Sequence, residues 1–110
     1  MDWKEIKEKY PKCIELLSKG SQSGVWVMKY MSDARLLYDF FDEQEIFIEI
    51  QVDAGTNDDH QKYLDFSYRI ETYDFRISHG EDFCSRGQAE ERAFLEAFVI
   101  LERRLAEKAW

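Results

Sequence analysis

The chain has 110 residues, 45% of them hydrophobic and 15% aromatic, with a formal net charge of −8. This apolar and aromatic content excludes an intrinsically disordered chain, and the length fits one domain spanning residues 1–110 with a core of its own. The longest apolar run, Ala97–Leu101, is five residues, short of the roughly 20 that a membrane span needs, and Met1-Asp2-Trp3-Lys4-Glu5 lacks the apolar stretch of a secretory signal, so the expectation is a soluble cytoplasmic protein.

The first helical pattern carries Trp3, Ile6, Tyr10, Cys13, Ile14 and Leu17 on one face at the 3.6-residue period, with Asp2 placed to cap its start. Pro11 removes a backbone donor and turns Tyr10 from helical angles. The spacing therefore predicts a helix to about Lys9 and a second opening on Pro11, with Gly20 as its stop. Ser21–Gly24 reads as a loop, and Val25–Met31 fits strand or helix equally. Ser32 and Asp33 then suit the start of a helix whose stripe is Leu36, Leu37, Phe40 and Phe41, ending near Glu43.

Three strands follow. Ile46, Ile48, Ile50 and Val52 alternate with Phe47, Glu49, Gln51 and Asp53; Leu64, Phe66, Tyr68 and Ile70 alternate with Asp65, Ser67, Arg69 and Glu71; Tyr73, Phe75, Ile77 and His79 alternate with Asp74, Arg76 and Ser78. Period-two alternation means one buried and one wet face. The phase slips by one between Ile70 and Tyr73, which either a tight turn or a bulge produces; the bulge moves the hairpin to His79–Asp82 and leaves Phe83 and Cys84 in a short last strand. Ser85 caps a final helix with Ala89, Ala93, Phe94, Ala97, Phe98, Leu101 and Leu105 inside, and Glu90, Glu91, Glu96, Glu102, Arg103, Glu107 and Lys108 outside. The layout is α-α-β-β-β-α, an α+β fold with a three-stranded antiparallel sheet, one face covered by the N- and C-terminal helices.

No catalytic or cofactor motif stands in this sequence: there is no nucleophile elbow, no phosphate-cradling Gly-rich loop and no His-Glu-x-x-His. The Asp53–His60 loop has oxygen groups at alternate positions, but the calcium-loop pattern fails at Asp58 and Leu64, where Gly and Glu are needed. Cys13, Cys84, His60 and His79 are the soft metal candidates, and no two share a ligand spacing. The two cysteines are expected reduced and buried.

The charge itself is informative. Residues 29–85 carry a net −9, while the flanking segments 1–28 and 86–110 carry +1 and 0. Alternation sends Glu49, Asp53, Asp65, Glu71 and Asp74 to the wet sheet face against Arg69 and Arg76, with Asp39, Asp42, Glu43 and Glu45 nearby. Such a carboxylate field repels nucleic acid and attracts basic grooves, or simply keeps a small protein soluble. Phe47 and Tyr63 fall on the same wet face, and Trp3, Trp26 and Trp110 lie near presumed edges, as interface aromatics often do.

Two resemblances add to this. The α-β-β-β-α order closing on Ser85-Arg86-Gly87-Gln88-Ala89-Glu90-Glu91-Arg92-Ala93 resembles the double-stranded RNA-binding domain layout. Arg86 matches its basic helix start, but Glu90 and Glu91 stand where positive charge must hold phosphates, so the resemblance implies fold and not RNA binding. Leu36–Ile48 together with Ala89–Phe98 resembles small uncharacterised phage and prophage proteins, over about a quarter of the chain. That resemblance implies a short acidic protein acting on a host component, as anti-CRISPR inhibitors do when they occupy the basic channels of nucleic-acid enzymes.

The expectation is a non-enzymatic binding protein without cofactor or metal. Its acidic surface, Glu49, Asp53, Asp65, Glu71, Asp74, Asp39, Asp42 and Glu43, docks on a basic partner, a nuclease or other nucleic-acid-binding enzyme, without direct nucleic-acid or membrane contact. The alternative is a structural domain that self-associates through exposed aromatics and a sheet edge. A small enzyme would need an ordered pocket with Asp or Glu beside His79.

Overall fold

The computed structural model describes residues 2–18, 34–56, 58–73 and 77–108. The expected stop at Gly20, the 25–31 segment, the Ser32–Asp33 cap, and Trp26, Asp74, Phe75, Arg76 and Trp110 lie outside the described residues. The elements are α1 (Trp3–Lys9), α2 (Pro11–Ser18), α3 (Ala34–Glu43), β1 (Ile46–Thr56), β2 (Lys62–Thr72), β3 (Ile77–Phe83) and α4 (Arg86–Lys108). The order is thus α-α-α-β-β-β-α, with Pro11 dividing the N-terminal stretch into two helices.

Local chemistry sets these boundaries. The Asp2 carboxylate accepts from the backbone N–H groups of Lys4 (3.1 Å) and Glu5 (3.2 Å), satisfying two of the four donors that a helix start leaves open. Tyr10 leaves helical geometry at φ −127°, ψ 58°, as a residue before proline must. α2 opens on Pro11 and is capped from a distance: the Glu102 carboxylate of α4 accepts from Lys12 N (3.1 Å) and Cys13 N (2.9 Å). Glu102 therefore does not belong to the solvent face of α4 where the helical pattern put it. Ser85 caps α4 by accepting from Gln88 N at 3.2 Å, and the Gln88 side chain returns to accept from Cys84 N at 3.1 Å, a reciprocal arrangement close to a capping box.

The sheet is antiparallel in the order β1-β2-β3. α3 and α4 lie on one face, and α1 and α2 pack against α4. The inner face contributes Ile46, Tyr68, Ile70 and Thr72 to the core, where they meet Leu37, Phe40 and Phe41 of α3 and the Ala89, Ala93, Phe94, Ala97, Phe98 and Leu101 stripe of α4. Phe98 is a hub: its ring stacks on Tyr10 (5.8 Å) and meets Phe41 (5.1 Å) and Trp3 (6.2 Å) edge-on. Trp3 is accordingly buried and not an edge residue. Cys13 is buried with its thiol donating to the Phe98 carbonyl at 3.5 Å, whereas Cys84 is exposed, against the expectation that both would be covered; both are free thiols.

The third strand departs most from the alternation pattern. Ile70 pairs with Ser78 and Tyr68 with Gly80, so Ser78 and Gly80 face the helices. Ile77 and His79 lie on the outer face, the reverse of their expected placement. The cause is a hairpin between Thr72 and Ile77, which resets the phase. A bulge then resets it again: three steps on β3 oppose two on β2 between Phe66↔Phe83 and Tyr68↔Gly80, and Asp82 takes φ 66°. Phe83 thereby returns to the inner face and meets the Tyr68 ring at 5.8 Å. The expected alternative, a bulge between Ile70 and Tyr73 with the hairpin at His79–Asp82, does not hold: His79–Asp82 runs within β3, and the bulge lies further along the β2–β3 pair, at Phe66–Tyr68.

Glycine matters at one position here. A Cβ on Gly80 would lie 2.5 Å from the Tyr68 ring, so the tyrosine occupies the space that only glycine leaves open beside it.

Candidate functional site

The outer sheet face is built from the odd-numbered residues of β1 and β2 and, ahead of the bulge, of β3, brought into rows by register. Phe47 lies opposite Glu71, which lies opposite Ile77; Glu49, Arg69 and His79 form the next row; Gln51 faces Ser67; Asp53 faces Asp65; and Gly55 faces Tyr63. Among the described residues no helix covers this face, and Phe47 and Ile77 are 48% and 53% exposed.

The face divides electrostatically into two ends. At the near end Arg69 stands directly across from Glu49 in the ladder and pairs with the Glu71 carboxylate at 3.8 Å, so this end carries a cation among its acids. At the far end β3 has stopped and the ladder narrows to β1 and β2. Here Asp53 and Asp65 are directly opposed, a like-charge pairing that destabilises a sheet. Together with Glu81 and Asp82 they line a hollow of about 330 Å³, whose other walls are Gln51, Val52, Phe66 and Ser67. Among the described residues no basic side chain lines it and none of the four acids has an ion pair.

Of the acids picked out by the sequence, Glu49, Asp53, Asp65 and Glu71 are exposed on this face. Asp39, Asp42 and Glu43 are exposed on α3, in the helical layer behind the sheet, so they do not join the same surface. Asp74 lies outside the described residues. Glu81 and Asp82 were missed, because they enter the site only through the reversed phase and bulge of β3. Two consecutive acids after His79-Gly80 were the available signal.

A second hollow, about 200 Å³, adjoins the first and is lined by His79, Glu81, Arg69 and Ile77 among others. His79 and Glu81 are both exposed, and among the described residues no hydrogen bond joins them. Among the described residues no group of three His, Cys, Asp or Glu side chains is arranged to hold a metal ion, and no helix is long and apolar enough to cross a membrane.

Apart from exposed Lys9, which its hydrogen bond and ion pair with Glu5 hold up, the groups with displaced proton affinities among the described residues lie on the core side. Burial, reinforced by Glu102, pushes the Cys13 thiol up; burial and Glu90 raise the Tyr38 phenol; burial and Glu96 raise Tyr68. All three favour the neutral form, so the core keeps unreactive thiol and phenol groups.

No protein-family model matches the chain, and no curated protein or solved structure matches it.

Proposed function

We propose that this protein is a non-enzymatic binding module whose acidic outer sheet face docks on a basic protein partner. The observation that carries this is the far end of the face, where Asp53 and Asp65 oppose each other beside Glu81 and Asp82 with no basic side chain of the described residues lining the hollow. A pairing that weakens the free sheet, left uncompensated, is relieved when lysine or arginine side chains arrive from a partner. The partner class is a nucleic-acid-processing enzyme, since four closely placed carboxylates suit a channel built for phosphates; the resemblance to phage-type inhibitors points the same way.

The test is capture from a bacterial lysate at low and high salt, using the wild type and an Asp65→Lys/Glu81→Lys variant. The wild type is expected to retain a basic nucleic-acid enzyme at low salt, to release it at high salt, and to lose it to added DNA or RNA. The variant is expected to retain none. Equal capture by both proteins, or no basic protein captured by either, overturns the proposal.

A further inference from the structure

A cavity of about 410 Å³ lies away from the acidic hollow, between Thr72 and Tyr73 at the end of β2, Ile77 and Ser78 at the start of β3, and the C-terminal half of α4. Its volume falls in the range of about 300–1,000 Å³ typical of small-molecule sites. The helix side presents Glu96, Ile100, Arg103 and Arg104, spacing that sets all four along one helical face. We infer that this cavity binds a small zwitterion with an apolar body: an anionic group at the arginine end, an ammonium group at the Glu96 end.

The two ends differ chemically and are held apart by the helix. Seven residues separate Glu96 from Arg103, roughly 10 Å of helical rise. At one end Ser78 donates to Glu96 Oε1 at 3.4 Å, and the second carboxylate oxygen has no hydrogen-bond partner among the described residues. At the other end Arg104 is fixed twice: it donates to the Gln44 carbonyl at 2.6 Å and lies over the Tyr73 ring at 5.2 Å. Only one of its five N–H donors is spent there. Arg103 has no hydrogen bond or ion pair among the described residues; Glu107, one turn further on, also lines the cavity and leaves this end with two cations to one acid.

The middle is apolar. Ile100, half-buried, and Tyr73, 57% exposed beneath Arg104, line it between the two ends, and an apolar ligand body covers them. Glu96 disfavours a plain anion and the arginines disfavour a plain cation. A ligand carrying both charges about one helical stretch apart satisfies both ends at once.

The experiment is an amide chemical-shift titration of the full chain with 4-(aminomethyl)benzoate, and with benzoate and benzylamine as the two half-ligands. The zwitterion is expected to shift the amides of Ser78, Ile100 and Arg103 saturably, and to bind about tenfold or more tightly than either half-ligand, a difference of about 1.4 kcal/mol. Arg103→Ala should erase its advantage over benzylamine, and Glu96→Gln its advantage over benzoate, with the remaining amides unchanged as proof of folding. No saturable shift at millimolar probe, shifts confined to other surfaces, or equal affinities for all three probes overturns the inference. None of these results bears on the acidic face, whose residues carry neither end of this site.

Discussion

The two halves of the β1–β2 ladder are made of similar residues and lead different lives. In the near half, Ile46, Ile70 and Thr72 are at most 3% exposed beneath α3 and α4. In the far half, alternation is equally regular, yet Val52 is 47% and Leu64 54% exposed, and Gln51–Ala54 and Lys62–Asp65 are open on both faces. The third strand explains part of this: β3 ends opposite Phe66, so beyond it only two strands remain, an arrangement that is marginal by itself. The lesson is that alternation states which face is apolar but not whether anything covers it. The acidic hollow sits where coverage ends.

The largest effects should separate the halves by stability. Ile70→Ala is expected to cost about 2–5 kcal/mol and Leu64→Ala well under half of that, measured by denaturant unfolding; equal losses would abolish the distinction between covered and uncovered ladder. Gly80→Ala should cost about 1–3 kcal/mol through overpacking against Tyr68. Gly55→Ala should cost less although its Cβ would lie 2.7 Å from the Tyr63 hydroxyl, because Tyr63 is 40% exposed and can swing away.

The covered half also carries groups whose proton affinity folding changes. Cys13, Tyr38 and Tyr68 all have raised proton affinities when folded. A raised value means that the stabilisation is complete below the unfolded-state value and is lost as pH rises past it toward the folded one. Thermal unfolding should therefore show a melting temperature that begins to fall above about pH 8.5, from Cys13, and falls faster above about pH 10, from the tyrosines. Cys13→Ala should move the onset to the higher value. Under native conditions a thiol reagent should label Cys84 and leave Cys13 untouched.

The smallest effect sharpens the comparison most. Asp65→Lys turns the opposed Asp53–Asp65 pair into an attractive one and should stabilise the fold by about 0.2–1 kcal/mol, while weakening capture of the basic partner. A variant that gains stability and keeps binding would show the far-end acids to be surface charge alone.

The sequence alone reached the helices and strands because their signals are local. Asp2, Pro11 and Ser85 act on neighbouring backbone, and the apolar stripes of α3 and α4 repeat at the helical period. It also reached the outer position of Glu49, Asp53, Asp65 and Glu71, since side chains on a strand must alternate. Tertiary structure decided what depends on partners distant in the chain. Glu102 looks like a solvent-face residue until α2 arrives beside it and uses it as a cap. Ile77 and His79 face outward because the register of β3 against β2, not its own alternation, fixes their phase. Asp39, Asp42 and Glu43 share charge with the sheet acids but not a surface, because α3 lies behind the sheet. The site was half legible for that reason: charge is written in composition, whereas its grouping depends on which strands stop, which bulge, and which layer each acid occupies.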